Sequence, residues 1–401
     1  MVTIRPLFTA TLALAFALPF AAQANHDTAA PGSSGHGGHV HAPRPELGAS
    51  AAYDAKGTLW AVYKDGEHVR LRRSKDDGAT WSQPVTVNAV PEAVGAEGDA
   101  RPRVALGGEG EIYVTWTRPM TKPYTGEIRF ARSLDGGRTF SQPIVVHSDR
   151  QEITHRFDSL AVTTTGEVFV AWVDKRDIPQ GEAAKSYRGA AVYYAVSSDH
   201  GASFRGDWRV AEHSCECCRV ALTAQPDGTV TALWRHVFEG GVRDHAMARL
   251  GDDGKVSAFT RATHDDWQID GCPHHGPSIA RDDSGTLHAV WFTGAPGNEG
   301  VQYGRLVDGR VEGQRRIGGD TAEHADLAVS GKRVAIAWKE FDGTESHLRA
   351  MRSDDAGRTW REIDLAETAG MNDQPRVLVH GDTFRVLWNS REQPLRVVAL
   401  P

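Results

Sequence analysis

Sulfur is scarce in this chain: 401 residues carry four cysteines and five methionines. Charge of one sign is scarce too, with a formal net charge of -7 and no basic block, which argues against nucleic acid and anionic membrane surfaces as partners. Long apolar runs are almost absent. The one that occurs, Leu7 to Ala22, is too short for a membrane span, and no cysteine follows it to carry a lipid. No helical periodicity of any length is present, so an all-α fold is excluded.

The apolar run follows Arg5 and ends at Ala22-Gln23-Ala24, the pattern of a secretory signal peptide over residues 1–24. Residues 25–44 are rich in Gly, Pro and His, with too few apolar side chains to offset the entropy of ordering, and predict a flexible tail. His26, His36, His39 and His41 fall within it and are of a type that captures metal ions. The expectation is an exported protein, periplasmic or secreted, with a single domain over residues 45–401.

What is abundant is repetition. The octets SKDDGATW at Ser74, SLDGGRTF at Ser133, SSDHGASF at Ser197 and SDDAGRTW at Ser353 all fit SxDxGx(T/S)(W/F). Asp and Gly at these positions suit a tight turn in which the carboxylate binds nearby N–H groups and Gly takes a positive φ. A second repeat ends in an aromatic: Tyr63, Trp116, Trp172, Trp234, Trp291, Trp338 and Trp388, at spacings of 47 to 62 residues. Segments such as EIYVTW and EVFVAW alternate with period two, as half-buried strands do.

The octets are similar to the Asp-box (BNR) repeats of sialidase-type β-propellers, and the resemblance covers nearly all of the chain after residue 44. It implies an all-β propeller of four-stranded blades, with the octets capping blades one, two, three and six. Asp76, Asp135, Asp199 and Asp355 are then folding residues. LGDDGKVS at Leu250 and LVDGRVEG at Leu306 read as degenerate octets of blades four and five. Sialidases usually have six blades; seven aromatic repeats predict seven here. The last repeat ends one strand short, and a strand before Leu47 is expected to complete it.

In such a fold the loop leading into each blade's first strand sits at one mouth of the central channel. HSCECCRVAL leads into blade four and GCPHHGPSIA into blade five. Cys215, Cys217 and Cys218 are therefore expected to face Cys272, His274 and His275 at the mouth, with His155 one blade back, His324 one blade on, and His213 on the same face as Cys215. Thiolate with imidazole suits a transition-metal ion, copper preferred over zinc. Cys215, Cys217, Cys272 and His274 are the first ligands; Cys218, His275, His155, His213 and His324 are second choices. Structural disulfides and a redox-active dithiol are the alternatives.

The resemblance also implies a glycoside hydrolase, whose family machinery is three arginines on a substrate carboxylate, a Tyr activated by Glu, and an acidic Asp. Arg101 matches the first arginine loosely, Arg156 is a second candidate, and Arg219 or Arg376 a weak third. Acids expected at the mouth are Asp99, Glu216, Glu323 and Asp373. No Tyr leads into blades six or seven, and Tyr187, Tyr193, Tyr194 and Tyr303 read as outer-strand residues. A third possibility is an envelope scaffold that holds a protein partner on an exposed apolar patch near Trp267 or the 119–124 loop. Expected ligands are accordingly a metal ion or a glycan.

Overall fold

A computed structural model describes residues 45–401. The predicted signal peptide and His-rich tail lie outside the described residues. Among the described residues no helix is long and apolar enough to cross a membrane.

Seven antiparallel sheets follow one another along the chain, each a simple meander. Their first strands are Ala49–Tyr53, Arg103–Leu106, His155–Val162, Ala221–Ala224, Ser278–Arg281, Glu323–Ser330 and Arg376–His380. Each first strand neighbours the next, and the seventh neighbours the first, so the sheets form a closed seven-bladed β-propeller. Six blades have four strands, and the seventh has three.

The period-two pattern works as expected. Second strands such as Ile112–Pro119 and Val168–Asp174 are buried on both faces, and Trp116, Trp172, Trp234, Trp291, Trp338 and Trp388 are among the largest fully buried side chains. Because a buried indole N–H needs an acceptor, carboxylates follow them inward: Trp116 donates to Glu92 (2.8 Å), Trp172 to Asp174 (2.8 Å), Trp291 to Asp265 (2.7 Å) and Trp338 to Glu340 (2.7 Å).

Each octet forms the turn between third and fourth strands, and all four share one set of bonds. In the first, Ser74 Oγ donates to Asp76 Oδ1 (2.7 Å) and accepts Gly78 N–H (2.8 Å), while Asp76 accepts the Thr80 N–H (2.8 Å) and hydroxyl (2.6 Å). Asp135, Asp199 and Asp355 repeat it. These hydroxyl and N–H donors hold Asp135 and Asp355 well below the ordinary carboxylate range. The segment after Leu306 has become a two-residue hairpin on Asp308 (φ 48°) and Gly309 (φ 74°), the paired positive φ of a type I′ turn.

The expected closing strand before Leu47 lies mostly outside the described residues; of these, residues 45–47 form no strand, and the first described strand, from Ala49, belongs to blade one. The seam between blades seven and one packs Ala49, Leu59 and Ala61 against Leu378, Leu387 and Leu395, and polar groups add to it. The Leu47 carbonyl accepts from Asn389 Nδ2 (2.7 Å), Tyr53 stacks on His380 (4.5 Å between ring centroids), and Arg385 pairs with Asp77 (2.8 Å). At the centre, Arg101 binds Asp373 through both terminal nitrogens (2.7 and 2.9 Å) and spends its other N–H groups on Gly98 O, Ala49 O and Gln374 Oε1. Arg101 is fully buried.

Burial pushes the Asp373 carboxyl above its ordinary range, against the pull of Arg101. Replacing Arg101 with Met strands this acid, and should cost about 3–5 kcal/mol in urea unfolding. Adding Asp373→Leu should recover most of the loss. A single variant within about 1 kcal/mol of the parent would show that the pair does not close the ring.

Candidate metal and thiol site

The loops leading into first strands and the loops joining second to third strands share one face; the octets lie on the other. On the first face the chain leaves blade three at Ser214, and Cys215 N donates to Arg235 O of blade four (2.9 Å). This close approach depends on Gly189, where a Cβ would stand 2.0 Å from the Ser214 carbonyl oxygen. The turn that follows puts three sulfurs together: Cys215 and Cys218 at 3.1 Å, Cys215 and Cys217 at 3.6 Å, Cys217 and Cys218 at 4.0 Å. All three are buried, packed on Ala100, Phe157 and Val173.

From blade five, the strap through Cys272 and His274 closes over them. Its floor is the Arg219–Asp99 pair (2.6 Å), approached at Gly276, where a Cβ would meet Arg219 Cγ at 2.3 Å. Cys217, Cys272 and His274 offer ligand atoms within 4.8 Å of one another, as do Cys215, Cys217 and Cys218. Cys217 belongs to both trios, so the five groups are contiguous. All four thiols are free, and Cys272 is exposed. S–H donation from Cys217 and Cys218, with Arg235 adding, holds Cys215 well below the ordinary thiol value despite burial; burial and Cys215 itself push Cys218 up. Arg243 Nη1 stands 3.7 Å from the Cys215 sulfur, on the side where a thiolate would be best met.

The outer histidines are placed differently. His275, Glu323 and His324 form a separate group, the two rings stacked at 4.4 Å. Gln374 gives its Oε1 to Arg101 (3.0 Å), so its amide NH2 faces His324 Nδ1 (3.0 Å) and the His324 ring proton sits on Nε2. To ligate through Nε2, His324 would have to move that proton and give up the Gln374 bond. His155 falls in no thiol group: it is fully buried, bonded to Asp174 (2.9 Å) and stacked on His147 (3.9 Å). His213 also lies apart, accepting the Arg188 N–H (3.1 Å) at Nδ1 and packing on Tyr187.

The carboxylates and arginines form a lattice around the axis. Burial would raise Asp99, but Arg219, Arg101 and Arg376 hold it well below the carboxylate range. Arg219 also donates to Pro277 O (2.8 Å), Arg103 to Asp99 O (3.0 Å), and Arg376 to Asp326 (3.4 Å). Arg101 has no N–H left for a ligand. Glu216 pairs with Lys175, and Glu323 with Lys339 (3.3 Å). Arg156 is the exception. Its guanidinium lies over the Phe157 ring (4.9 Å), near Glu97, Tyr124 and Cys217, and makes no hydrogen bond among the described residues.

Other expectations need correction. Tyr187 lies in the loop after residues 181–186, outside any strand, while Tyr193, Tyr194 and Tyr303 are in third strands. Trp267 is buried beneath Arg235 and Phe292, so it supplies no exposed patch. In the 119–124 loop Tyr124 is 73% exposed, beside a groove of about 440 Å³ lined by Pro91, Arg118, Pro119 and Met120. Arg243 and Gln374 escaped the sequence reading, since nothing local marks them. Backbone strain does mark the region: Tyr124, Phe157, His213, His274 and His324 all have φ between 53° and 64°.

The molecule is thus a seven-bladed propeller with a sulfur-rich mouth. No protein-family model and no curated protein matches the chain. Among solved structures it is similar to a Dyadobacter fermentans protein of unknown function (16% identity, 77% of this chain and 94% of that one, TM-score 0.51). It is also similar to an ulvan lyase (12%, 87% and 90%, TM-score 0.53) and to a mutant α-L-arabinofuranosidase of Fusarium graminearum (13%, 77% and 95%, TM-score 0.50). These likenesses establish the propeller fold, and its solved neighbours include glycan-active enzymes.

Burial drives the pKa of His147 down to about 4, with His155 adding, and that of His236 to about 4, with His213 and Arg188 adding. Both are neutral when folded but take a proton near pH 6.5 when unfolded. Their contribution is therefore complete above pH 6.5 and lost as pH falls toward 4, by up to roughly 3 kcal/mol each. Urea unfolding should show stability falling between pH 7 and 4.5, and a flat profile would contradict these burials.

Proposed function

We propose that this is an exported propeller that binds and handles a transition-metal ion at its mouth, through Cys215, Cys217, Cys218, Cys272 and His274. The observation that carries this reading is the spacing of the sulfurs. A tetrahedral ion with sulfur at about 2.3 Å needs sulfurs about 3.8 Å apart, and the three buried ones lie at 3.1, 3.6 and 4.0 Å. The donors fit in kind as well: soft thiolates with one imidazole suit Cu(I) or Zn(II), and Arg243 and Arg235 offset the excess negative charge. Copper is preferred because the His-rich 25–44 segment would supply a capture tract for ions in the envelope. His155 and His213 have no part in this site, and His324 acts as a hydrogen-bonding neighbour.

A second reading, a glycan-active enzyme, is favoured by Arg156. An unbonded guanidinium beside an exposed Tyr suits the carboxylate of an acidic sugar, and the ulvan lyase neighbour was solved with a GlcA-containing saccharide. The lack of a Tyr leading into blades six or seven weighs against sialidase chemistry.

Elemental analysis of protein purified from its own compartment should find about one copper or zinc per chain, with free thiols after denaturation. Cys217→Ser with Cys272→Ser should abolish the metal while leaving the circular dichroism of the ring intact. Undiminished metal in that variant would remove the reading. For the second reading, Arg156→Ala should lower affinity for uronate-bearing oligosaccharides roughly tenfold to a hundredfold; no binding by the parent at millimolar ligand would exclude it.

A further inference from the structure

Four thiols joined through Cys217 exceed what one soft ion requires, and they are not equivalent. Cys215 and Cys218 stand in C-x-x-C spacing, have the shortest separation among the three buried sulfurs (3.1 Å), and are both buried. Cys217 instead groups with the exposed Cys272 and with His274. The cluster divides into an inner dithiol and an outer trio, linked by the sulfur contacts of Cys217 with Cys215 (3.6 Å) and Cys218 (4.0 Å).

Building on the copper reading above, we propose that the inner pair reduces Cu(II) as it reaches the mouth, and that the outer trio keeps one of the resulting Cu(I) ions. The oxidant is Cu(II) itself. Two S–H bonds break and one S–S bond forms between Cys215 and Cys218, two protons pass to solvent, and each of the two electrons reduces one Cu(II) to Cu(I). One Cu(I) stays on Cys217, Cys272 and His274, a soft three-donor set; the other leaves to solvent. Bulk oxidants have little access to the buried pair, whereas an ion on the outer trio is in sulfur contact with it.

The division of labour follows from geometry. A bridge between Cys217 and Cys272 would destroy the trio, and one between Cys215 and Cys217 would close a tighter ring than the C-x-x-C spacing allows for. The chemistry is stoichiometric, one event per chain until an external thiol resets the disulfide.

The test uses the full chain, fully reduced and anaerobic, with two equivalents of Cu(II). The expected result is loss of the Cu(II) electron paramagnetic resonance signal and a fall from four free thiols to two. Peptide mapping should find a Cys215–Cys218 bridge, and one Cu(I) should remain after desalting. The Cys215→Ser, Cys218→Ser variant should bind one equivalent of Cu(I) supplied as Cu(I) but leave the Cu(II) signal in place. A parent that binds Cu(I) yet leaves Cu(II) unreduced overturns this inference and spares the metal-binding reading, whereas one that forms a Cys217–Cys272 bridge overturns this inference and removes two ligands of that reading as well. A parent that fails to bind Cu(I) at all overturns both. Should the double variant not fold, the mapped bridge in the parent decides.

Discussion

Every propeller must join its last blade to its first, and here that junction is the buried pair of Arg101 with Asp373. The seventh sheet has three strands among the described residues, and it meets blade one through a shared apolar cluster. The arginine joins the two at the centre, touching blade one through Ala49 O and blade seven through Asp373 and Gln374. Around it, Arg219 pairs with Asp99 and Arg376 with Asp326, while Arg103 donates to the backbone carbonyls of Asp158 and Asp99. Taking so many charges out of water is unfavourable unless each is met by an opposite charge and hydrogen bonds, and these cross-blade pairs supply both. The mouth depends on this lattice, because the strap through Cys272 and His274 rests on Arg219 and Asp99.

Much of the architecture was legible from repetition. The octets specify a turn by local bonds alone, and the aromatic repeat counts blades because one large ring fills each. The convergence of the thiols followed from counting blades, since neighbouring lead-in loops must meet. What stayed hidden were partners chosen across blades. His155 opens the first strand of blade three, yet Asp174 on the neighbouring strand of that blade takes its ring inward. Arg101 resembled a substrate arginine in sequence; only the fold reveals that its five N–H groups are already engaged. Trp267 looked exposed in a loop and is covered by Arg235. In each case a long-range contact outweighed a local pattern, and no spacing encodes it.

The two faces divide the labour. On one, Ser, Asp and Gly bond to their own turn, and octets also reach the next blade, Asp77 to Arg385 and the Asp199 and His200 carbonyls to Arg132. On the other, loops borrow their conformation from neighbours: Gly189 admits Ser214, Gly276 admits Arg219, and seven non-glycine residues, Asp266 and Leu395 among them, are held at positive φ. Strain that no local sequence preference would choose is concentrated where sulfur, imidazole and an unbonded guanidinium meet.

Cys215 and Cys272 come from different blades, separated by a complete four-stranded sheet. No hairpin or isolated blade can bring them together, so a chain emerging unfolded presents scattered thiols and acquires the cluster only when blades four and five dock. The mouth is in that sense a report on assembly: its chemistry begins when the seam has formed, and any bond made across it, to an ion or between sulfurs, acts as a rivet between two blades.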